Sequence, residues 1–199
     1  MTTLVAGGAA SGKSEYAERL VEAAYAAADR RSPLWYIATM AAPDDESRER
    51  IRKHRDRRAG KGYETVECPD GDALAAFAAR LTSGAEEDLP VILLDDFGNL
   101  VANELFAPDR VEAALHPMND EQVARFVQPL VETLKTIHRL AGTLVLVSND
   151  VFGDGPSDDP GVDNYMRCLA ALDRSVAAFA DNVCEVAAGL PDYYKGGLS

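Results

Sequence analysis

Gly7-Gly8-Ala9-Ala10-Ser11-Gly12-Lys13-Ser14 has the G-x-x-x-x-G-K-S pattern of a phosphate-binding P-loop. The apolar run Thr3-Leu4-Val5-Ala6 precedes it and is long enough for one buried strand, and helical spacing begins at Ser14. Glycines let successive backbone N–H groups wrap a phosphate, and the helix N-terminus adds partial positive charge. The stretch therefore predicts a nucleotide site, with Lys13 along the β and γ oxygens and Ser14 holding Mg²⁺. The alternative is a Gly/Ser turn that binds nothing.

Composition is that of an ordinary α/β protein. The 199 residues are 47% hydrophobic and 27% charged, which suits one well-buried domain over 1–199. No apolar run approaches the length of a membrane span and no signal peptide is evident, so we expect a cytoplasmic protein. Cys68, Cys168 and Cys184 are odd in number and far apart, which predicts neither a disulfide framework nor a zinc site.

Charge is distributed unevenly along the chain. The net charge of −13 argues against nucleic acid or an anionic membrane as the partner, because both attract basic surfaces. Residues 48–62 nevertheless hold eight of the twenty Lys and Arg residues and only two acids. A basic segment on an acidic protein indicates a local anion, such as a nucleoside triphosphate.

His54 lies in the middle of this basic segment, on a predicted polar helix over 46–58. Arg50, Arg57 and Arg58 stand three or four residues away and share its face. Their positive charges disfavour the imidazolium form, and a neutral imidazole can act as a nucleophile. The same arginines could hold the phosphates that this nucleophile attacks. Taken alone, the segment fits a surface histidine on a solvated basic helix at least as well.

The buried run Val91-Ile92-Leu93-Leu94 ends in Asp95, and Asp96 follows. Four large aliphatics in a row are typical of a parallel strand covered on both faces. An acid at the end of such a strand matches the Walker B role, which holds Mg²⁺ directly or through water. The alternative is a strand that ends at an aspartate in a turn. His116 and His138 lack charged neighbours like those of His54, and we interpret both as structural.

Strands and helices alternate along the chain. This order predicts an α/β fold: one P-loop NTPase-like domain with a doubly wound, mostly parallel sheet and helices on both faces. Residues 97–119 are predicted as loop and short helix, and the chain after Val183-Ala188 as a polar ending. The predicted strands are 3–6, 34–39, 63–67, 90–96, 143–148 and 183–188, and the predicted helices are 14–30, 46–58, 72–81 (capped by Asp72), 119–141 and 163–180.

With these segments placed, the chain resembles the bifunctional adenosylcobinamide kinase / adenosylcobinamide-phosphate guanylyltransferase family of cobalamin biosynthesis. The resemblance covers nearly the whole length. Its most specific part is the R-I-x-x-H motif between the second strand and the T-V-E segment. The matching stretches are the P-loop, Tyr36-Ile37-Ala38-Thr39, Arg50-Ile51-Arg52-Lys53-His54, Thr65-Val66-Glu67, Ile92-Leu93-Leu94-Asp95 with Asn103, Val147-Ser148-Asn149-Asp150, Ala180-Asp181-Asn182-Val183, Gly189, Pro191 and Lys195.

The resemblance implies two reactions on one scaffold. The first phosphorylates adenosylcobinamide with ATP or GTP. The second transfers GMP from GTP, through a covalent GMP–histidine on His54, to the phosphorylated product. It also implies a homo-oligomer, a trimer in the family. The positions that match the family's nucleotide site, besides the P-loop, are Ala38, Thr39, Met40, Arg55, Asp56, Arg57, Arg58, Glu67 and Asp95.

Departures from the family pattern concentrate in the second half of the chain. The loop 149–160 is more acidic than the family's glycine-rich version, and Asp95 replaces the commoner Glu. The next helix has Tyr165-Met166-Arg167 and Asp173-Arg174 where F-R-D and N-Q are usual. Two alternatives therefore stay open: a diverged P-loop kinase or nucleotidyltransferase with one activity, and a non-catalytic nucleotide-binding module.

Overall fold

A computed structural model describes residues 1–40, 49, 52, 56, 58–83, 88–153, 155 and 157–197. The strands in this part are β1 (Thr2–Gly7), β2 (Leu34–Ala38), β3 (Glu64–Glu67), β4 (Val91–Asp95), β5 (Thr143–Asn149), β6 (Asn182–Ala187) and β7 (Leu190–Lys195). The helices are α1 (Lys13–Ala27), α2 (Gly71–Ser83), α3 (Phe97–Leu105), α4 (Val111–Ala114), α5 (Asp120–Leu140) and α6 (Pro160–Phe179).

The seven strands form one sheet in the order β3-β2-β4-β5-β1-β6-β7. Every neighbouring pair is parallel except β6 and β7, which form an antiparallel hairpin. The prediction of a mostly parallel sheet is therefore confirmed. β7 is the strand that the sequence analysis missed, because Leu190-Pro191-Asp192 has little of the β-branched or aromatic character expected of a strand.

Alternate residues of the central strands face opposite cores, as the two-residue period of a strand requires. Leu4, Ile92 and Leu94 pack beneath α2, α3, α5 and α6. Val5 and Leu93 face the other way and pack against α1. Helices therefore cover both faces, which confirms the doubly wound arrangement and explains why β4 is apolar at every position before Asp95.

Side-chain caps fix where several helices begin. The sequence allows Asn119 or Asp120 as the cap of α5. Asn119 is the cap: it accepts from the backbone N–H of Gln122, and the Gln122 side chain bonds back to Asn119 in a capping box. The predicted cap of α2 was wrong by two residues. Asp70, not Asp72, accepts from the backbone of Ala73 at 2.8 Å. Asp72 stands in the first turn, where its charge still favours the helix dipole.

His138 and His116 both make contacts within the fold. His138 Nδ1 lies 2.7 Å from Thr2 Oγ1, and its ring packs against Phe179, so it ties α5 to the sheet as a structural residue. His116 contributes its backbone carbonyl, which accepts from Asn164.

Among the helices of the described residues, none combines the length and apolar composition that a membrane crossing requires.

Candidate functional site

The strand register brings predicted site residues to one edge of the sheet. Ala38, at the end of β2, is paired with Glu67 on one side and with Asp95 on the other. Gly7, the first P-loop residue, is paired with Asn149 at the end of β5. These are the carboxyl ends of parallel strands, where ligands bind in open α/β sheets.

The P-loop is a tight turn between β1 and α1. Gly12 has φ +90°, a conformation that disfavours any side chain, and it precedes Lys13 as the N-cap of α1. The Lys13 ammonium donates to the Gly8 carbonyl at 3.1 Å, so the lysine folds over its own loop. The β6–β7 turn supports the loop from behind, because the Gly189 N–H donates to the Ser11 carbonyl at 2.7 Å.

Asp95 is the buried acid of the site. The Ser14 hydroxyl donates to its Oδ1 at 3.4 Å, and the Tyr36 hydroxyl donates to its Oδ2 at 3.2 Å. Burial, with help from the neighbouring Asp96, raises the pKa of Asp95 to about 6, although the Tyr36 hydrogen bond, Lys13 and Arg58 oppose the rise. Burying this carboxylate costs folding free energy. Its position beside a lysine and an arginine suits a functional site that binds a cation.

Arg58 is buried, with 6% of its surface exposed. Its guanidinium carbon lies 3.3 Å from the centroid of the Tyr36 ring, a cation–π contact that the desolvated position strengthens. Within the described part of the chain, Nε and Nη1 of Arg58 have no hydrogen-bond partner. Buried guanidinium donors are normally satisfied, so these two nitrogens indicate an anion that belongs in the site.

Thr39 and Asn103 hold the end of β2 in place. The Thr39 hydroxyl donates to the carbonyl of Asp96 at 2.7 Å and accepts from the Asp96 N–H at 3.0 Å. Asn103 donates to the carbonyls of Thr39 and Pro69. The side chain of Thr39 is fully buried, so it can act on the predicted nucleotide site only through its placement of the neighbouring backbone.

Part of the predicted site lies outside the described residues. His54, Arg55 and Arg57 belong to it, as do Arg50, Ile51 and Lys53 of the R-I-x-x-H motif. Of the other predicted positions, Asp56 and Glu67 are exposed, and Ala38 and Met40 are half-buried.

Tyr36 lies in the Y-I-A-T stretch but was not predicted as a site residue. Side chains two apart on a strand share a face, so Tyr36 stands on the same side of β2 as Ala38. A tyrosine in a buried strand needs a partner for its hydroxyl. Those two facts together could have pointed from Tyr36 to the neighbouring acid at the end of β4.

The donor set fits Mg²⁺ in the manner of nucleotide-binding proteins. Within the described residues, no three His, Cys, Asp or Glu side chains gather in a way that could hold a metal ion by themselves. Ser14 and Asp95 instead offer one hydroxyl and one carboxylate, both hard oxygen ligands. Mg²⁺ commonly takes one or two protein ligands and completes its shell with substrate phosphates and water.

Known proteins match the chain over almost its whole length. The family model described as cobinamide kinase / cobinamide phosphate guanyltransferase matches residues 3–193. The bifunctional adenosylcobalamin biosynthesis protein CobP of Pseudomonas aeruginosa is 32% identical over 197 residues, which covers 98% of both chains. The bifunctional adenosylcobalamin biosynthesis protein CobU of Salmonella typhimurium is 31% identical over 198 residues, which covers 96% of this chain and 97% of the relative.

Proposed function

Because the chain belongs to the cobinamide kinase / cobinamide phosphate guanyltransferase family, we propose that the site at the P-loop edge of the sheet binds the nucleotide of both reactions. The enzyme phosphorylates adenosylcobinamide with ATP or GTP and then transfers GMP from GTP to the phosphate. One observation carries the assignment of the site: the P-loop hydroxyl of Ser14 donates to the buried carboxylate of Asp95.

The nucleotide phosphates lie on the P-loop, residues 7–14. Backbone N–H groups and the α1 N-terminus hold the oxygens, and Lys13 moves from the Gly8 carbonyl to the β and γ oxygens. Arg58 donates from its two unsatisfied nitrogens, Nε and Nη1, to the same phosphates. The further nucleotide contacts that we propose, by match to the family, come from Ala38, Thr39, Met40, Arg55, Asp56, Arg57 and Glu67.

Ser14 and Asp95 hold Mg²⁺ when the nucleotide is bound. The ion supplies charge neutralisation on the phosphate oxygens. Tyr36 orients the Asp95 carboxylate through its hydroxyl and contacts the Arg58 guanidinium with its ring. One side chain therefore positions both charged groups. Asp95, Lys13 and Arg58 thereby place fixed charges around the phosphates before the reaction begins.

His54 is the proposed nucleophile of the second reaction. Its ring nitrogen forms a bond to the α-phosphorus of GTP while the bond from that phosphorus to the leaving pyrophosphate breaks. An oxygen of cobinamide phosphate then attacks the same phosphorus and displaces the neutral imidazole. One displacement is thus divided into two in-line steps.

Two variants test this division of labour. His54→Ala should keep phosphorylation of adenosylcobinamide and lose formation of adenosyl-GDP-cobinamide. Lys13→Ala should lose both by a factor of about 100 or more, because it removes charge stabilisation common to both reactions. Chromatography of the corrinoid products measures each step separately. Guanylyl transfer that survives in His54→Ala would contradict the covalent mechanism.

We also propose that the chain is one domain over 1–199, that it is cytoplasmic and, from the family resemblance, that it assembles as a homo-oligomer, a trimer. Light scattering on the purified protein would measure the mass in solution. A monomer with both activities would contradict the oligomer.

A further inference from the structure

Three polar side chains converge on Gly98 at the same edge of the sheet. The Tyr165 hydroxyl, the Asn149 amide nitrogen and the Asp96 Oδ1 lie 2.8, 2.9 and 3.1 Å from the point that a Cβ would take on Gly98. They come from α6, from the end of β5 and from the N-cap of α3. A glycine at this position leaves the space between them without a side chain.

Two of these groups are free to bind a ligand, whereas the Asp96 carboxylate also caps α3 by accepting from the Asn99 N–H at 2.9 Å and from the Asn99 side-chain amide at 3.2 Å. Tyr165, Asn149 and Asp96 are each half-buried, so they reach the surface of the sheet edge. Within the described residues, neither the Tyr165 hydroxyl nor the Asn149 side chain has a hydrogen-bond partner. Burial and the carboxylates of Asp96 and Asp173 raise the pKa of Tyr165 to about 12, so its hydroxyl keeps its proton and donates.

Their place relative to the phosphate site is fixed by the sheet. β5 lies between the P-loop strand β1 and the Asp95 strand β4. Asn149 is paired with Gly7, the Asp150 N–H donates to the Gly7 carbonyl at 2.9 Å, and Asp96 directly follows Asp95. The three groups therefore stand beside the position proposed for the terminal phosphates, where a phosphoryl acceptor must be placed for in-line attack.

We propose that Tyr165, Asn149 and Asp96 form the subsite that binds the acceptor alcohol of the kinase reaction. The inference rests on the proposed nucleotide site. Two donors and one carboxylate match a hydroxyl group, which both accepts and donates hydrogen bonds. In the reaction the acceptor oxygen bonds to the γ-phosphorus, the bond from that phosphorus to the bridging oxygen of the nucleoside diphosphate breaks, and the hydroxyl proton goes to solvent.

The subsite also discriminates between substrate and product. It has no basic side chain among its three groups, and the Asp96 carboxylate repels a phosphate. The alcohol is therefore held more tightly than its phosphate ester, which leaves the subsite after phosphorylation.

Two substitutions test the subsite. Tyr165→Phe keeps the ring that packs against the core and removes only the hydroxyl. Gly98→Ala places a methyl group among the three polar ends, one of which, Asp96 Oδ1, also accepts from the Asn99 N–H in the cap of α3. Tyr194→Phe is the matched control, because Tyr194 is 68% exposed on β7 and donates to Glu185.

The measurements are the affinity for adenosylcobinamide, by visible absorbance in equilibrium dialysis with a non-hydrolysable nucleotide, and the steady-state KM for each substrate of phosphorylation. We expect Tyr165→Phe to weaken adenosylcobinamide binding and raise its KM about three- to tenfold, as loss of one hydrogen bond does. Gly98→Ala should do so more strongly. In Tyr165→Phe the nucleotide KM and the melting temperature should change little, and Tyr194→Phe should match the wild type throughout.

Unchanged adenosylcobinamide affinity in both variants would overturn the subsite, and so would an equal rise in the nucleotide KM. Failure of the proposed function gives a different result. A wild type that binds adenosylcobinamide but does not phosphorylate it would contradict the kinase assignment, while the binding comparison would still decide the subsite. A wild type that binds no adenosylcobinamide would overturn both.

Discussion

At the scale of single residues, two poorly solvated carboxylates have similarly raised pKa values but lie in different surroundings. Asp95 and Asp173 both have a pKa raised to about 6, with burial as the largest cause. Asp95 lies near Lys13, Arg58 and the P-loop. A bound cation and the nucleotide phosphates would there offset the free-energy cost of burying its carboxylate. Asp173 lies on α6 near Ser148, outside the proposed nucleotide contacts. The cost of burying its carboxylate therefore lowers the free energy of unfolding.

Asp95→Asn should separate stability from activity. We expect phosphoryl transfer to fall about 100-fold or more, because the change removes the metal-binding charge. The free energy of unfolding at pH 7 without nucleotide should rise, because a neutral amide is less costly to bury. Asp95→Glu is the control and should retain much of the activity. Measurement of kcat tests the expected loss of activity, and urea unfolding tests the expected gain in stability. An active Asp95→Asn enzyme would contradict the proposed metal site.

Asp173 predicts a pH dependence of stability. Its pKa is about 6 in the folded chain against 3.8 in the unfolded chain, so between about pH 4 and pH 6 the folded state holds the proton more tightly. Stability from this group therefore falls as pH rises through that window, by at most about 3 kcal/mol.

Asp173→Asn should remove this loss. The variant should gain up to about 3 kcal/mol over the wild type at pH 7 and almost nothing at pH 4. Asp109→Asn, whose parent side chain is 76% exposed, is the control and should show no such trend. Urea unfolding across this pH range measures the difference, and a gain that is equal at both pH values would refute the explanation.

At the scale of elements, the late β6–β7 hairpin is part of the P-loop's support. A Cβ on Gly12 would stand 3.0 Å from Gly189 Cα in the hairpin turn, so the two glycines allow the close approach. β7 was missed because its residues have a weak strand pattern and it is added antiparallel at the edge. The other strands were predicted to within one or two residues, since buried aliphatic runs bounded by turns identify them.

Gly12→Ala and Gly189→Ala form a matched pair. Both glycines have positive φ, so each substitution should cost about 1–2 kcal/mol of backbone strain. Only the Gly12 methyl group meets backbone atoms, because nothing lies within 4 Å of a Cβ on Gly189. We expect the nucleotide KM to rise at least tenfold in Gly12→Ala and little in Gly189→Ala. Equal nucleotide KM values in the two variants would contradict the support by the hairpin.

At the scale of the whole molecule, the sequence predicted the fold except for β7, and it identified part of the candidate site. Alternating strands and helices predict the doubly wound sheet, and the P-loop and Asp95 follow from local patterns. The arrangement of Arg58 over Tyr36, and of Tyr165 beside Gly98, could not be predicted. These pairs are distant in the chain and meet only because particular strands are neighbours and α6 packs against α3.

The two proposed reactions share one nucleotide site, and the second depends on His54 as its nucleophile. Intact-mass spectrometry of the protein after incubation with GTP and Mg²⁺, followed by peptide mapping, tests the covalent step most directly. We expect a GMP adduct on His54 that acid removes, as expected for a phosphoramidate, and no adduct in His54→Ala. An adduct on another residue, or none while GTP is bound, would contradict the covalent step.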